Sequence, residues 1–381
     1  MIDLTLETTP ELNATKPFLL VAITKHGVTL ARKIKEQFTE SDLFYPDKFT
    51  YGDEKEKNIY LYKGNVRVLL EKAFHKYEGI IAIVSLGAII RLVAPLLKDK
   101  KTDPAVVVID EAGKYVISAL SGHIGGANEL SRNLAKIIGG EAVITTASDV
   151  GKTLPVDILG RRFGWVSETD APLLATSAAI VNEEPVALIQ ESGETNWWEH
   201  ESPLPSNIHQ FNSLAEIAEP GSFKASIIIT HRLLSEKELG TLETTVVIRP
   251  KSIVLGIGCN RNTSMEELES VVSETLLEMK FSLTSVAVVC SIDLKKDEKG
   301  LLSLCERYEW PFHVYSAEEL NKIEIESPSE TVFKYTGAYG VSEPAAKLYS
   351  ENSNLELVKK KSGNVTISVG ILARAGFLHK E

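Results

Sequence analysis

Four glycine-rich turns, each at the predicted start of a helix, carry the residue types that could bind a ligand in this chain. They occupy residues 85–91, 121–129, 256–264 and 336–343. Glycine lets a backbone approach a ligand closely, and free amide groups at a helix N-terminus bind anions. Arg91 and Arg261, in two of these turns, add forked donors for a carboxylate or a phosphate. One such turn is more often only a tight α/β connection, but four together favour a ligand with several negative charges.

Common nucleotide, hydrolase and metalloprotease motifs each fail at a defining position. Residues 151–153 (Gly-Lys-Thr) follow a predicted strand, but a P-loop needs glycine where Thr146 stands. A dinucleotide fingerprint needs its third glycine where Arg261 stands, and a nucleophile elbow before Ser121 needs glycine where Ala119 stands. The sequence also has no HExxH motif. The residues alone therefore indicate an anion site in an α/β protein, with no metal ligand set.

Composition excludes several other classes of protein. Of the 381 residues, 44% are hydrophobic and 24% are charged, which is typical of a globular protein with a sizeable core. The net charge of −11 is unfavourable for binding nucleic acid or a membrane surface, because either needs a basic face. The length predicts two or three domains.

Targeting and redox signals point to a cytoplasmic enzyme. Cys259, Cys290 and Cys305 form no CxxC or Cys/His cluster, so we expect buried thiols in a reducing compartment. The first 16 residues carry acids where a signal peptide needs a basic region and an apolar core. Residues 80–97 approach the length of a membrane span but read better as a buried strand that runs into a helix.

The elements that position the first two turns alternate between short apolar runs and longer amphipathic ones. The predicted strands are residues 18–24, 79–84, 105–110, 115–120 and 141–145, and the predicted helices are residues 27–38, 66–77, 88–97 and 127–138. This alternation predicts an α/β fold with a mainly parallel sheet and helices on both faces, which forms an N-terminal domain of residues 1–150.

The rest of the chain divides into two further predicted domains. Residues 151–248 contain six prolines and short strands, which indicates a small middle domain. Residues 249–381 return to α/β alternation and predict a smaller C-terminal α/β domain. Capping boxes at Ser264…Glu267 and Ser316…Glu319 predict the starts of two of its helices.

Both α/β domains resemble one known family. Residues 84–108 and 120–130 are similar to the N-terminal signature of the CbiG family of cobalt-precorrin-5A hydrolases. Residues 255–259 with 263–264, 291–298 and 316–321 are similar to its C-terminal domain. Asn260, Asn262 and Ser342 depart from the residues that this family often has. The resemblance covers residues 18–150 and 252–372.

The resemblance implies a hydrolase of anaerobic cobalamin biosynthesis. Its substrate would be a cobalt-containing tetrapyrrole with peripheral carboxylates and a δ-lactone; water opens the lactone, and C20 leaves with its methyl group as acetaldehyde. No cofactor is implied, because the cobalt arrives inside the substrate. Other enzymes of the pathway are possible partners, and a homodimer is left open. A non-catalytic corrinoid carrier or scaffold is the alternative, and a nucleotide-dependent enzyme is disfavoured by the failed motifs.

The implied reaction needs a general base, an acid and donors for an oxyanion. We predict His123 as the acid/base residue, because imidazole suits the task and the surrounding glycines leave it reachable. Glu129 could orient His123, although a carboxylate on a helix face is slightly favoured. Asp149 and Asp157 are secondary catalytic candidates that could instead be turn or capping residues.

The remaining predicted site residues would bind substrate carboxylates or line the turns. We expect Lys25 and His26 to bind carboxylates, in reach of the same sheet edge as His123, and Glu343 could instead compensate a helix dipole. The predicted substrate-binding residues are Lys25, His26, Ser85, Gly87, Arg91, Ser121, Gly122, Gly125, Gly126, Gly258, Arg261 and Glu343.

Overall fold

A computed structural model describes residues 14–99, 102–146, 153–168, 171–198, 203–240 and 244–372. The chain divides between residues 152 and 153 into two compact units. The described part of the first unit contains one sheet, and that of the second contains two. The division into domains at residues 150 and 248 stays a prediction; the middle sheet ends at Arg249.

The N-terminal unit is built on a seven-stranded sheet with the order β3-β2-β1-β4-β5-β6-β7. Its strands are β1 (Phe18–Ala22), β2 (Ser41–Pro46), β3 (Ile59–Tyr62), β4 (Gly79–Ile83), β5 (Ala105–Ile109), β6 (Tyr115–Leu120) and β7 (Glu141–Val143). Strands β1 to β5 are parallel, β6 is antiparallel to β5, and β7 is parallel to β6. The prediction of a mainly parallel sheet is confirmed.

Helices cover both faces of this sheet, as the doubly apolar strands predict. They are α1 (Lys25–Gln37), α2 (Val66–Ala73), α3 (Leu86–Val93) and α4 (Ala127–Ile138). Helices α1 and α4 pack against one face, and α2 and α3 pack against the other. Residues 80–97 form most of β4 and the short helix α3, as predicted, and no helix in the described ranges is long and apolar enough to cross a membrane.

The middle sheet has the order β10-β9-β11-β12-β8, with only β8 antiparallel to its neighbour. Its strands are β8 (Val166–Ser167), β9 (Val186–Gln190), β10 (Ile208–Phe211), β11 (Ala225–Ile229) and β12 (Thr245–Arg249). Two helices accompany it in the described residues, α5 (Ala171–Val181) and α6 (Glu236–Leu239). The apolar residues of β9, β11 and β12 are buried and form half of the main core cluster.

The C-terminal sheet has the order β15-β14-β13-β17-β16. Its strands are β13 (Ile253–Cys259), β14 (Val286–Ile292), β15 (Phe312–Tyr315), β16 (Leu357–Ser362) and β17 (Val365–Ile371). Its helices in the described residues are α7 (Met265–Glu278), α8 (Lys299–Tyr308), α9 (Ala317–Leu320), α10 (Glu330–Thr336) and α11 (Ser342–Ser350).

One of the two predicted capping boxes is complete. At Ser316, the hydroxyl accepts from the backbone of Glu319 and the Glu319 carboxylate accepts from Ser316. At Ser264 only the first half forms, because the Glu267 carboxylate accepts hydrogen bonds from Asn364 instead.

Main-chain hydrogen bonds join the middle and C-terminal sheets within the second unit. The amide of Leu233 donates to Lys280, and the amide of Ser282 donates to His231, at 2.7 and 2.8 Å. The buried Arg249 adds a side-chain contact, because its guanidinium donates to Glu168 and that carboxylate accepts from Ser282. The two sheets are therefore held together by backbone as well as by side chains.

Candidate functional site

The N-terminal sheet has two edges, and the predicted site residues fall on both. The carboxyl ends of β1 to β5 share one edge, where the strand order reverses between β1 and β4. In open α/β sheets this switch point leaves a crevice in which ligands bind. The turn of residues 85–91 and the start of α1 both lie at this edge, because they follow β4 and β1 directly.

The start of α1 presents exposed basic side chains to this switch crevice. Thr24 caps the helix by accepting from the amide of Gly27 at 3.1 Å, and its hydroxyl donates to Glu111, which follows β5. A Cβ atom on Gly27 would come within 3.2 Å of Ile83, so the helix start packs against the end of β4. Lys25 and His26 are exposed, and their side chains make no hydrogen bond or ion pair with any described residue.

The turn after β4 adds a third basic group and two exposed apolar side chains. Ser85 precedes α3 without a side-chain cap bond and is exposed, as is Gly87. The exposed Arg91 guanidinium donates one hydrogen bond to the Gly87 carbonyl at 2.8 Å. Four of the five guanidinium N–H donors therefore remain for a ligand. Leu86 and Ile90 are 37% and 46% exposed beside it. We call the surface formed by Lys25, His26, Ser85–Arg91 and Glu111 the switch crevice.

The turn that contains His123 lies at the opposite edge of the sheet. Because β6 runs antiparallel to β5, residues 121–126 emerge beside the residues that precede β5, and the Ser121 hydroxyl donates to the Asp103 carbonyl at 3.0 Å. A strand of five residues such as β5 spans about 17 Å. The expectation that Lys25 and His26 reach the same edge as His123 is therefore wrong.

The His123 loop, residues 121–126, is a tightly wound turn. Ser121 has a left-handed backbone with φ of 55°, and the amides of Ala127 and Asn128 donate back to the carbonyls of Ser121 and Gly122. A Cβ atom on Gly125 would lie 2.3 Å from the Ser121 Cβ, and one on Gly122 would lie 2.8 Å from an Asn128 oxygen. Glycine is therefore required at 122 and 125 for packing alone.

Asn128 fastens this loop to the end of β7 and was not predicted as a site residue. It is 4% exposed, its Oδ1 accepts from the Ser118 hydroxyl at 2.6 Å, and its Nδ2 donates to Thr146 at 3.1 Å. His123 is half-buried in the loop. Gly126, with φ of 82°, directly precedes α4.

Among the other predicted catalytic residues, the structure describes Glu129 and Asp157. Glu129 is exposed and pairs with Arg132 at 3.7 Å, which favours its interpretation as a helix-face carboxylate. Asp149 lies outside the described residues. Asp157 is half-buried in a short 3-10 turn of the second unit.

At the C-terminal sheet, the charged candidates bond to their own chain. The Arg261 guanidinium donates to Asp297 at 2.7 Å and to the Leu294 carbonyl at 2.5 Å, which holds the turn after β13. Glu343 is 4% exposed and accepts from Lys347 at 2.7 Å and from the amide of Glu326. Burial disfavours a substrate contact for Glu343. The Arg261 side chain is 53% exposed and keeps N–H donors beyond those that these partners use, so its role in substrate binding stays a prediction.

In the turn that contains the predicted substrate-binding residue Gly258, packing requires glycine at 256. A Cβ atom on Gly256 would lie 1.9 Å from the Ser342 carbonyl oxygen, where α11 crosses β13, whereas at Gly258 the nearest atom, in Val341, would be 3.5 Å away. Gly258 is half-buried at the carboxyl end of β13, so its place in a ligand site stays a prediction.

The three cysteines form no disulfide, and burial raises the pKa values of their thiols. Cys290 and Cys305 are buried, and burial raises the pKa of the Cys305 thiol to about 12 and that of Cys290 further. The pKa of Cys259 is also raised, chiefly by burial. Within the described residues, no group of three His, Cys, Asp or Glu side chains could hold a metal ion.

Comparison with known proteins gives matches along nearly the whole chain. Three family models match: "Cobalamin synthesis G N-terminal" over residues 68–149, "Cobalamin biosynthesis central region" over 154–250 and "Cobalamin synthesis G C-terminus" over 253–370. A curated cobalt-precorrin-5A hydrolase from Priestia megaterium is 56% identical over 93% of this chain and 95% of its own length. One from Salmonella typhimurium is 32% identical over 94% and 99%.

The solved structures add a relative of similar length. A putative cobalamin biosynthesis protein G homologue from Sulfolobus solfataricus is 21% identical, with a TM-score of 0.35, over 93% of this chain and 97% of that one.

Proposed function

Because the chain belongs to the CbiG family, we propose that it opens the lactone of cobalt-precorrin-5A with water and releases acetaldehyde. The observation that carries this conclusion is the 56% identity to a curated hydrolase of that name over 93% of the chain. The protein is a hydrolase of cobalamin biosynthesis, and the alternative of a non-catalytic corrinoid carrier is disfavoured by the same identity.

The switch crevice suits the substrate of this reaction. A tetrapyrrole with peripheral acetate and propionate groups needs cations for its rim and apolar contacts for its ring. Lys25 and Arg91 supply the cations, and Leu86 and Ile90 supply exposed apolar surface. We therefore place the macrocycle in this crevice, with Arg91 binding carboxylates through its remaining N–H groups.

The same crevice holds a base for the attacking water. His26 is exposed one residue from Lys25, at the N-terminus of α1, where amide groups and the positive end of the helix dipole favour anions. In this proposal, the His26 imidazole accepts a proton from a water molecule while the oxygen of that water attacks the carbonyl carbon of the lactone. The Lys25 ammonium group then stabilises the oxyanion before the C–O bond of the lactone breaks.

His26 and His123 are thus alternative candidates for the general base. The two clusters lie at opposite edges of the sheet, and β5 alone is about 17 Å long, so we do not expect them to act on the same atom. His26 lies among the anion-binding groups of the crevice, at the other edge of the sheet from His123. His123 stays a prediction that a direct comparison of variants decides.

Several further expectations accompany the proposal. The reaction uses water and a cobalt ion carried by the substrate, so we propose that it needs no separate cofactor. A cytoplasmic location, contacts with other pathway enzymes, the absence of nucleic-acid and membrane partners, and an open choice between monomer and homodimer stay predictions.

The test is an anaerobic incubation with cobalt-precorrin-5A in which acetaldehyde is measured. His26→Asn should lower the rate by a factor on the order of 100 to 10,000, the usual range for a lost general base. His123→Asn and the control His75→Asn, an exposed histidine of the same unit, should stay within about twofold of the native rate. A native rate for His26→Asn with a large loss for His123→Asn would move the chemistry to the His123 loop.

A further inference from the structure

The segment between β2 and β3, residues 47–58, borders the switch crevice. It leaves the carboxyl end of β2, which is the neighbour of β1, so it lies at the same edge as α1's first turn. It contains Tyr51, whose side chain is 55% exposed. No motif in the sequence marks this residue.

This segment is held rigidly by a buried polar cluster. The Glu54 carboxylate, in a residue 8% exposed, accepts from the amides of Tyr51 and Gly52 at 2.5 and 2.9 Å and from the Tyr45 hydroxyl at 2.8 Å. Arg32, also 8% exposed, donates to Tyr45 at 2.7 Å and to both oxygens of Asp53. Burial works against ionisation of Glu54, but the Tyr51 amide and the other donors outweigh it and hold its pKa at about 2.

The Tyr51 ring is fixed at two points although it is exposed. The Arg32 guanidinium lies over the ring, 4.3 Å from its centroid, and the hydroxyl lies 3.0 Å from that of Thr29. Thr29 in turn donates to the carbonyl of Lys25 at 3.3 Å. Tyr51 therefore stands beside the turn of α1 that carries Lys25 and His26. A fixed ring loses little conformational entropy when a ligand packs on it.

We propose that Tyr51 is a substrate-binding residue that packs against the face of the macrocycle beside Lys25 and His26. This inference rests on the proposed function, because that function supplies a planar conjugated ligand. Aromatic rings stack in offset geometry on such surfaces, while the cations of the crevice bind the carboxylates of the rim. Because the Tyr51 ring would contact the macrocycle and not the lactone, its loss should weaken binding and leave the chemical step unchanged.

The test compares Tyr51→Ala and Tyr51→Phe with Tyr335→Ala, which removes a 76% exposed tyrosine of the second unit. For acetaldehyde release, Tyr51→Ala should raise KM about three- to tenfold with kcat within twofold of native, as expected for one lost aromatic contact. Tyr51→Phe and Tyr335→Ala should keep the native KM. Thermal unfolding confirms that each variant is folded.

A second measurement separates this inference from the proposed function. Equilibrium dialysis with cobyrinic acid, a cobalt corrin with peripheral carboxylates, measures affinity without turnover. If the native protein releases no acetaldehyde, the proposed function fails. A dissociation constant for cobyrinic acid that is three- to tenfold higher in Tyr51→Ala than in the native protein would still support the ring contact. A native KM and native corrin affinity for Tyr51→Ala would overturn it. An equal loss in Tyr51→Phe would also overturn it, because the hydroxyl contact to Thr29 would then be responsible.

Discussion

Replacing Asn128 with alanine should destabilise the N-terminal unit, and the size of the effect follows from its contacts. The change removes the hydrogen bonds to the Ser118 and Thr146 hydroxyls, in a side chain that is 4% exposed. Each hydrogen bond contributes about 0.5–1.5 kcal/mol, so the expected loss in the free energy of unfolding is about 1–3 kcal/mol. For a unit of this size, 2 kcal/mol corresponds to a Tm lower by roughly 4–8 °C.

Differential scanning calorimetry measures the shift, with Asn133→Ala as the matched control on the exposed face of the same helix. The control should keep the native Tm within about 1 °C. An unchanged Tm in Asn128→Ala would refute the idea that these two bonds hold the His123 loop to the end of β7.

The same variant also reports on catalysis. If the chemistry takes place in the switch crevice, folded Asn128→Ala should release acetaldehyde at close to the native rate, because the loop it loosens lies at the other edge of the sheet. A loss of about 100-fold or more in kcat at a temperature where the variant is folded would show that the His123 loop must be intact for the reaction.

Three further predictions concern the second unit. Gly256→Ala should lower its stability by about 2–3 kcal/mol or more in urea unfolding, because the new Cβ would lie 1.9 Å from the Ser342 carbonyl oxygen, which cannot rotate away. Burial opposes ionisation of Glu191, but hydrogen bonds from Arg232 outweigh burial and lower the pKa of Glu191 below the ordinary 4.5. The ionised carboxylate therefore stabilises the fold above pH 4.5, and this contribution to the free energy of unfolding is lost as the pH falls below that value. Glu191→Gln should therefore lose less stability than native between pH 5 and 3, and an identical loss would contradict this. Cys290 should resist a thiol reagent in the native state, since burial raises its pKa, and rapid labelling before unfolding would contradict its burial.

The fold class could be predicted because apolar runs mark buried strands, but two strands of the N-terminal sheet were missed. Strand β2 begins with Ser41 and Asp42, polar residues that are buried, and Asp42 accepts hydrogen bonds from Thr15 and Tyr77. Only the folded chain brings those donors to it. Strand β3 has four residues, too short for a pattern to be recognised.

The sequence contains a pattern that predicts the location of the candidate site residues at two opposite edges of the sheet. The turn of residues 111–114 joins two predicted strands, and so short a connection makes neighbouring strands antiparallel. The turn after the second strand must then emerge at the opposite edge from Ser85 and Lys25. The bonding of Arg261 to Asp297 had no such signal, because its partner lies 36 residues away.

The backbone bonds between the middle and C-terminal sheets have a consequence for how the second unit opens. The amides of Leu233 and Ser282 donate hydrogen bonds between the middle and C-terminal parts of the second unit. Their protons can therefore exchange with solvent only when the two sheets separate. Parting would also break the hydrogen bond that the Ser282 hydroxyl donates to Glu168, the carboxylate that neutralises the buried Arg249. Deuterium uptake at these amides should thus be as slow as at the central strands β11 and β13, so that two sheets with separate cores behave as one cooperative folding unit.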